Sequence, residues 1–379
     1  MTVRGRDWSA AIGLMLMTAA CGASDTDTDT AREAIPIKRT PLPQNEFIPV
    51  KIEATIDELV AEINKSSIQP MQLAVLLKSL NGFFAPIATG ANRAMGELGV
   101  SGRATGNVLG STDASADQEQ STELQTKQIR QAVEDGAEGI AITPFGDGNA
   151  AALDEAIAKG VPVVTLDTDV LSSKLSIHVG ILSKYAGAAA GNTLLEMLPE
   201  GPGTVLIHGW ADPGWLDGVN RTQGARGVFE EAGYDVVVHQ SIYDDEARDV
   251  EVMRGKIEDA DPPVVGLIGM FSDSYRCVLA ADAAGAPDLP IVAFDFAPET
   301  ADYMRQRRIK ATHVQRQYYE GYLGPYVAYG IKSIGLDATR KILAPQLVEG
   351  NQFDLGVDVV PWNKVDAYND FLDEIGAEQ

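Results

Sequence analysis

The chain alternates short apolar runs with longer amphipathic stretches, and this alternation constrains its fold more than any other feature. The runs are rich in Val, Ile and Leu, whereas the stretches between them repeat their apolar residues at helical spacing. Strands that alternate with helices of about 10–15 residues form βαβ units and parallel sheets. Nearly continuous apolar runs are typical of strands that are covered on both faces.

The pattern occurs as two successive series. The predicted strands lie at 71–77, 139–143 and 161–166 in the first series, and at 204–207, 235–238, 264–268 and 291–294 in the second. The predicted helices lie at 86–98, 118–135, 149–159, 185–198, 220–232, 249–258 and 274–284. We therefore expect an α/β protein with two doubly wound parallel-sheet lobes.

Length and charge agree with a two-domain soluble protein. The chain has 379 residues, which fits two domains of ordinary size. Its 30 Lys and Arg against 54 Asp and Glu give a net charge of −24, which argues against nucleic acid and anionic lipid as partners. The acidity favours a neutral or weakly cationic ligand, although acidic surfaces are also common in soluble proteins.

The cysteines and histidines do not predict a metal site. The two cysteines are Cys21 and Cys277, so the body of the chain has no intramolecular disulfide. The four histidines are scattered and lack the spacing of metal ligands: 178, 208, 239 and 313. We expect neither a metal nor a cofactor.

The N-terminus predicts export. Residues 1–20 read as a signal peptide, with Arg4 and Arg6 before an apolar stretch that is too short to span a bilayer. The small residues that end in Cys21 resemble a bacterial lipobox, which implies lipidation of Cys21. Ordinary signal-peptidase cleavage is the alternative. Both predict a location in the periplasm or at the outer face of the cytoplasmic membrane.

Residues 21–66 are predicted to connect the N-terminus to the folded body. They begin with an Asp-Thr alternation that has no apolar content and is typical of a disordered tether. A proline-rich lead-in follows at 35–49, and then a short helix near 56–63.

Polar and aromatic residues follow the predicted strands. In open parallel sheets, ligands bind beyond the carboxyl ends of the strands. The residues at those positions are 79–84, 143–145, 167–169, 208–210, 271–273 and 295–296. Their amides, hydroxyls, carboxylates and aromatic rings suit a polyhydroxylated ligand, because rings cover C–H faces and carboxylates accept hydroxyl hydrogens.

The segment KSLNGFF at 78–84 resembles the first-strand motif of the ribose/galactose-type periplasmic binding proteins, the type I or LacI-like sugar-binding fold. In that family an Asn and paired phenylalanines touch the sugar. The resemblance implies that Asn81, Phe83 and Phe84 bind the ligand, while one of the two phenylalanines is expected to pack at the helix start.

The segment PVVTLD at 162–167 resembles the strand whose terminal aspartate binds sugar hydroxyls, which implies a ligand role for Asp167. In ribose-type members an arginine commonly follows, but here Thr168 and Asp169 come next. Threonine cannot replace a guanidinium fork. Both residues are nevertheless candidate ligand contacts.

Two motifs of the second series are the most specific matches. IVAFD at 291–295 resembles the family strand whose aspartate accepts from the ligand, which implies that role for Asp295. ATHVQ at 311–315 resembles the segment whose glutamine binds the ligand beside the hinge, which implies that role for Gln315.

Two weaker matches complete the implied site. NRTQG contains the Arg-x-x-Gly of the family's second-lobe helix, which implies that Arg221 donates to the ligand. Phe271 and Asp273 lie in the loop where relatives place a ligand-facing Asn or Trp. Trp210 and Trp215 precede Arg221 and serve either as a stacking wall or as core packing.

The resemblance also implies an architecture and a function. The N-lobe would comprise 67–180 plus 316–344 and the C-lobe 181–315 plus 345–379, joined by a three-segment hinge that closes around a sugar or polyol. A monomer that delivers its ligand to an ABC-type permease is expected. A receptor that presents a sugar or signal molecule to a chemoreceptor or sensor kinase is the alternative.

Catalysis and gene regulation are less favoured. The chain has no dinucleotide fingerprint, Walker loop, zinc-protease motif or nucleophile elbow, so no catalytic residue is predicted. Asp167 and Asp295 could in principle act as a glycosidase pair, but they belong to different lobes. A transcription regulator of this fold would need a DNA-binding headpiece in place of the leader.

Overall fold

The computed structural model describes residues 35–67, 70–111, 118–170, 174–213, 215–348 and 350–377. The predicted signal peptide, Cys21 with its predicted lipid and most of the predicted tether lie outside the described residues. Residues from Ala34 to Gln379 form one compact unit. No helix of the described ranges is both long enough and apolar enough to cross a membrane.

Strands and helices alternate along most of this unit. The strands are β1 Met71–Leu77, β2 Ala104–Thr105, β3 Val108–Gly110, β4 Gly139–Ile142, β5 Val163–Leu166, β6 Ile177–Gly180, β7 Thr204–Gly209, β8 Asp235–Gln240, β9 Val264–Gly269, β10 Ile291–Phe294, β11 Ile309–Gln315, β12 Leu347–Val348, β13 Gln352–Asp354 and β14 Val357–Pro361. The helices are α1 Val50–Lys65, α2 Ala85–Val100, α3 Gln118–Glu134, α4 Ala150–Ala158, α5 Ser183–Leu195, α6 Leu216–Glu231, α7 Glu246–Glu258, α8 Arg276–Ala283, α9 Pro298–Arg305, α10 Gln317–Ile334, α11 Leu336–Leu343 and α12 Val365–Glu374.

These strands form two sheets. The first has the order β12-β13-β6-β5-β4-β1-β2, with β3 also paired to β1, and the second has the order β14-β11-β10-β9-β7-β8. All pairs are parallel except β12 with β13 and β14 with β11. The predicted α/β fold with two doubly wound parallel-sheet lobes is thus confirmed.

The central strands explain why sequence patterns locate them well. Every residue of β4, β5, β7 and β10 is buried, because helices cover both faces of each sheet. The predicted bounds of the first and last strands, 71–77 and 291–294, are those of β1 and β10. The two- and three-residue strands β2, β3, β12 and β13 are too short to give a periodic signal.

The chain passes between the sheets at three places. These are the links from β6 to α5, from β11 to α10 and from β13 to β14. The sequence assigned 345–379 to the C-lobe, whereas β12 and β13 pair within the first sheet and the C-lobe strand begins at Val357. The two strands of this hairpin are too short for the sequence to indicate which sheet they join.

The lead-in packs on elements of both lobes. α1 is longer than the predicted helix and buries Ile56 beside α10. Arg39 of the lead-in pairs with Glu53 of α1 at 2.6 Å. The Phe47 ring lies 4.8 Å from that of Tyr368 on α12, which packs against β14 of the second sheet. The segment before the first strand is therefore part of the folded body.

Candidate functional site

Two aspartates end equivalent strands of the two sheets. Asp167 follows β5 with a φ of 62°, and Asp295 follows β10 with a φ of 65°. Their amides donate to Val179 and His313 carbonyls of the neighbouring strands, at 3.1 and 2.8 Å. A left-handed backbone is uncommon outside glycine and persists only where the surroundings enforce it. Both carboxylates are thereby placed at the carboxyl edges of their sheets.

Asp295 is held by the glutamine that the sequence singled out. Gln315 donates from Nε2 to Asp295 Oδ1 at 3.0 Å, and each residue is 3% exposed. Burial raises the pKa of Asp295 to about 6, although Arg221 and the Gln315 hydrogen bond act in the opposite direction. This carboxyl therefore sits in a buried, polar environment.

Arg221 lies beside Asp295, on α6. Its guanidinium carbon is 4.2 Å from the centre of the Phe294 ring and 5.5 Å from that of Phe271. Nη1 donates to the Met270 carbonyl at 3.0 Å, while Nε is buried without a hydrogen-bond partner among the described residues. Arg221 thus keeps donor capacity for a ligand.

Two glycines place α6 and therefore Arg221. A Cβ on Gly187 of α5 would lie 1.9 Å from the carbonyl oxygen of Arg221, and one on Gly224 would lie 2.0 Å from that of Lys184. The two helix backbones are in direct contact at these points. The helix that carries Arg221 can take this position only because both residues lack a side chain.

In the first lobe, a lysine stands beside the strand-end aspartate. Lys78, just after β1, donates to Thr168 Oγ1 at 2.6 Å and lies 3.3 Å from Asp167 Oδ2. Thr168 in turn donates to Asp167 Oδ2 at 2.9 Å. Lys78 also lies 5.5 Å from the centre of the Phe84 ring. The positive charge that Thr168 cannot supply comes from Lys78, which the sequence reasoning did not select.

Two further carboxylates were missed. Glu320, in the first turn of α10, is fully buried, and neither carboxylate oxygen has a hydrogen-bond partner in the described structure. Burial, then Asp167 and Asp295, raise its pKa well above the ordinary value. Asp217 lies one turn before Arg221 on α6, and its pKa is raised mainly by burial and also by Asp167.

A sequence signal for Glu320 does exist. It is the only charged residue between Arg316 and Lys332, within a helix that is otherwise almost wholly apolar and buried. A lone carboxylate in such a helix is unusual, because burying an unpaired charge is costly. A search limited to the residues after strands misses Glu320, because Glu320 lies on a helix.

Aromatic rings lie next to Arg221. Trp215 is 4.8 Å from Phe271, and Trp210 is 5.5 Å from Trp215. Trp210 Nε1 is buried without a hydrogen-bond partner among the residues described. The two tryptophans pack at the edge of the second lobe's hydrophobic core, against Phe271.

The other predicted residues lie in more peripheral positions. Asn81 is exposed, and Phe83 and Phe84 are half-buried, 5.1 Å apart and edge to face. Asp169 accepts from the backbone amide of Val170 at 2.8 Å and so stabilises its own turn. The structure brings together Asp167, Thr168, Arg221, Phe271, Asp295 and Gln315 most closely.

Asp273 belongs mainly to a second buried group, which we call the ion cluster: His208, His239, Asp249, Asp273 and Arg276. Ser241 donates to Asp273 Oδ2 at 2.7 Å, and Arg276 Nη1 lies 3.7 Å from the same oxygen. Asp273 Oδ1 has no hydrogen-bond partner in the part of the chain described. Asp273 also acts electrostatically on Asp295. It therefore joins the ion cluster to the candidate site.

Two histidines of the ion cluster, scattered in sequence, are neighbours in space. His208 and His239 are register partners on the parallel strands β7 and β8, and their rings stack 5.5 Å apart. Asp249 lies between them, 2.9 Å from His208 Nε2 and 2.6 Å from His239 Nε2. The residue spacing does not reveal that β7 pairs with β8, so no sequence pattern indicates this group.

The ion cluster is balanced by protein charges. Burial opposes the charged form of His208, but Asp249 and Cys277 raise its pKa to about 10. Burial acts against Asp249 too, yet the two histidines hold its pKa well below the ordinary range. The three ligand atoms of His208, His239 and Asp249 lie within 4.8 Å of one another. Arg276, 3.1 Å from the same carboxylate, fills the cationic role there.

The fold and the two strand-end groups define a two-lobed binding protein. The chain belongs to the periplasmic binding protein family, whose periplasmic binding protein domain matches residues 73–334. The match covers most strands of both sheets and most of the strand-end residues described above.

Relatives and solved structures agree with this assignment. The chain is 23% identical over 235 residues to the ribose import binding protein RbsB of Bacillus subtilis (strain 168), covering 62% of this chain and 75% of the relative. It is 21% identical over 260 residues to the RbsB of Escherichia coli (strain K12), covering 68% and 83%.

Among solved structures, the sugar-binding protein of a sugar ABC transporter from Bacillus halodurans has a TM-score of 0.62 at 20% identity, covering 79% of this chain and all of that one. A solute-binding protein from Burkholderia graminis in complex with D-arabinose has a TM-score of 0.59 at 23% identity, covering 79% and 97%. At these identities the structures support the fold.

Proposed function

We propose that this protein is an exported receptor that captures a sugar or polyol between its lobes and delivers it to an ABC-type permease. The observation that supports the proposal is that Asp167 of the first sheet lies within electrostatic range of Asp295 of the second, which is held by Gln315 and influenced by Arg221. The RbsB relatives, which are ribose import binding proteins, support the same function.

The chemistry of these groups suits recognition of hydroxyls. Asp167 and Asp295 can accept from vicinal hydroxyls, while Arg221 and Gln315 can donate to ring or hydroxyl oxygens. Trp215 and Phe271 offer aromatic surface for the C–H face of a ring. We propose no catalytic role, which agrees with the matched family of binding proteins and with the import binding proteins among the relatives.

Binding is proposed to work through closure of the lobes. A ligand that contacts residues of both lobes binds the closed form better than the open one, and this difference shifts the population towards closure. The permease would recognise the closed form. We further propose that the protein acts as a monomer and that Cys21 carries a lipid that anchors it at the membrane surface.

The proposal is tested by a thermal-shift screen of pentoses, hexoses and cyclic polyols. A ligand at about 100 times its Kd should raise the free energy of unfolding by about 2.7 kcal/mol. Asp295→Ala and Arg221→Ala should each abolish this response while the apo proteins stay folded. Arg226→Ala is the matched control, because Arg226 lies on the same helix but is exposed and paired with Glu230. Full response in both site variants would contradict the assignment.

Delivery to a permease needs its own measurement. Uptake of the identified sugar by cells that lack this protein should fall and return on complementation. Uptake that is unchanged, together with loss of a taxis or kinase response to that sugar, would favour the sensing role instead.

A further inference from the structure

The candidate site contains more carboxylates than cations, and two of the carboxylates, Asp295 and Glu320, are buried. Six ionisable side chains interact electrostatically there. Four are carboxylates, and two are cations: Asp167, Asp217, Asp295 and Glu320, with Lys78 and Arg221. We call these six residues the cleft group. If all four carboxylates were ionised, two negative charges would be left uncompensated in a region of low dielectric constant.

Among the described residues, neighbouring groups supply at most one of the two missing cations. Arg276 is engaged by Asp249 and Asp273 within the ion cluster. Arg316, just before α10, is bound by Asp358 at 2.7 Å. Within the described ranges, His178 is a further basic neighbour: it favours the charged form of Asp217, and its Nδ1 lies 3.0 Å from Thr165 Oγ1.

The excess of negative over positive charge is least compensated at Glu320. It is 0% exposed, and both of its oxygens lie without a hydrogen-bond partner among the described residues. Most buried polar groups in proteins are hydrogen-bonded, and a carboxylate without a partner is the costliest exception. Its electrostatic partners are Asp167 and Asp295 together with Arg221 and Lys78, so the side chain lies within electrostatic range of strand-end residues of both lobes.

We propose that the natural ligand carries a protonated amino group as well as hydroxyls, as an aminosugar or an aminocyclitol does, and that Glu320 and Asp295 bind the ammonium. The inference rests on the proposed function and narrows its ligand class. An ammonium brings one positive charge and three N–H donors into a group that lacks both. Hydrogen bonds between charged partners are also stronger than neutral ones.

The site can still distinguish this ligand from a simple cation. Asp167 is already paired with Lys78 and Thr168, and Gln315 donates to Asp295. The hydroxyls of the ligand would meet these partly engaged groups and Arg221. The ammonium would meet the oxygens of Glu320, which have no partner of their own among the described residues.

The test is isothermal titration calorimetry at about pH 6.5 with matched ligand sets. Each set contains a neutral sugar or cyclitol, its aminodeoxy derivative and the uncharged N-acetyl derivative, with the amine at different ring positions. We expect at least one amine to bind about tenfold or more tightly than its hydroxyl parent, and its N-acetyl derivative to gain nothing. This comparison uses the unmodified protein and so does not depend on the folding of any variant.

Glu320→Gln tests the assigned residue. The amide keeps the shape but removes the charge, so the variant should bind the amine and its parent about equally. Glu299→Gln is the matched control, since Glu299 lies in the first turn of α9 but is exposed. Titrations in two buffers of different ionisation enthalpy should show proton release when the amine binds to the unmodified protein, and less in Glu320→Gln.

The outcomes separate this inference from the function on which it rests. Tight binding of neutral parents with no gain from any amine would overturn the ammonium assignment and leave the sugar receptor intact. An amine preference that survives in Glu320→Gln would also overturn the role of Glu320. Failure of every neutral, amino and N-acetyl ligand to bind would count against the proposed function itself.

Discussion

The ion cluster and the cleft group are both buried sets of charges at the carboxyl edges of the sheets, but they are satisfied differently. In the ion cluster, both oxygens of Asp249 have cationic or amide partners within 3.1 Å. In the cleft group, both oxygens of Glu320 lie without a partner in the described structure. The contrast holds for these two carboxylates, since the ion cluster also contains an unpartnered oxygen, Asp273 Oδ1. The compensated carboxylate of Asp249 indicates a structural role, whereas the unpartnered one of Glu320 indicates a place for a ligand.

The two groups are also connected. Asp273 accepts from Ser241 within the ion cluster and acts electrostatically on Asp295 of the cleft group. It follows Phe271, which contacts Trp215 and lies under Arg221. We infer that the ion cluster holds the loop against which Arg221 is oriented.

The largest expected effect comes from Asp249→Ala. This change leaves His208, His239 and Arg276 buried without their shared carboxylate, which is expected to lower the free energy of unfolding by about 3–5 kcal/mol. Urea unfolding at neutral pH measures the loss. Asp295→Asn is the control. This substitution also removes a buried carboxyl charge, but Asp295 is not shared by several buried cations as Asp249 is. An equal loss in both variants would remove the distinction between the two groups.

The next effect is a difference in pH dependence. The folded-state pKa of Asp295, about 6, lies above its ordinary value of 3.8, so its protonated form favours folding. Its contribution to stability is therefore present below about pH 3.8 and is lost as the pH rises through about 6. The difference corresponds to roughly 3 kcal/mol.

Asp249 has the opposite sign. Its folded-state pKa is lowered, so its contribution is present above its unfolded pKa and is lost only as the pH falls below that value. Free energies of unfolding of the apo protein between pH 4 and 7 should therefore fall less steeply in Asp295→Asn than in the unmodified protein. Parallel curves for the two proteins would show that Asp295 does not titrate in this range.

The sequence predicted most of the repeated fold because buried parallel strands are nearly continuous in apolar residues. It predicted Asp167 and Asp295 because each stands just beyond a strand end, and Gln315 through its resemblance to a family segment. Lys78, Asp217 and Glu320 were missed for a physical reason. Their proximity to the strand-end residues arises from pairing and packing between elements far apart in the chain, which local spacing does not record.

The same limit explains why the proximity of the two histidines of the ion cluster was not predicted. His208 and His239 are each the fifth residue of a strand, yet nothing in the sequence shows that β7 and β8 are adjacent and in register. The C-terminal hairpin of β12 and β13 was assigned to the wrong lobe because two- and three-residue strands carry no periodicity. Long-range pairing is the information that the local patterns lack.

A smaller effect tests how the cleft group is positioned. In Gly187→Ala the new methyl group would meet the Arg221 carbonyl, so α5 and α6 must separate at a cost of about 1–3 kcal/mol. Ligand affinity should fall as Arg221 moves. Gly227→Ala is the matched control on α6, because nothing lies within 4 Å of its Cβ position and it should gain about 0.4–1 kcal/mol. Similar unfolding and binding curves for the two variants would disprove this close helix contact.

The smallest effect is the one most particular to the cleft group. Glu320→Gln replaces an unpartnered buried carboxyl with a neutral group of the same shape, so the apo protein should become more stable at pH 8 by about 1 kcal/mol. The gain should shrink as the pH falls, because the raised pKa of Glu320 allows its proton to return. A loss of stability at pH 8 would mean that Glu320 has a structural partner, as Asp249 does. A gain accompanied by lost ligand discrimination would show that this residue lowers stability in return for recognition.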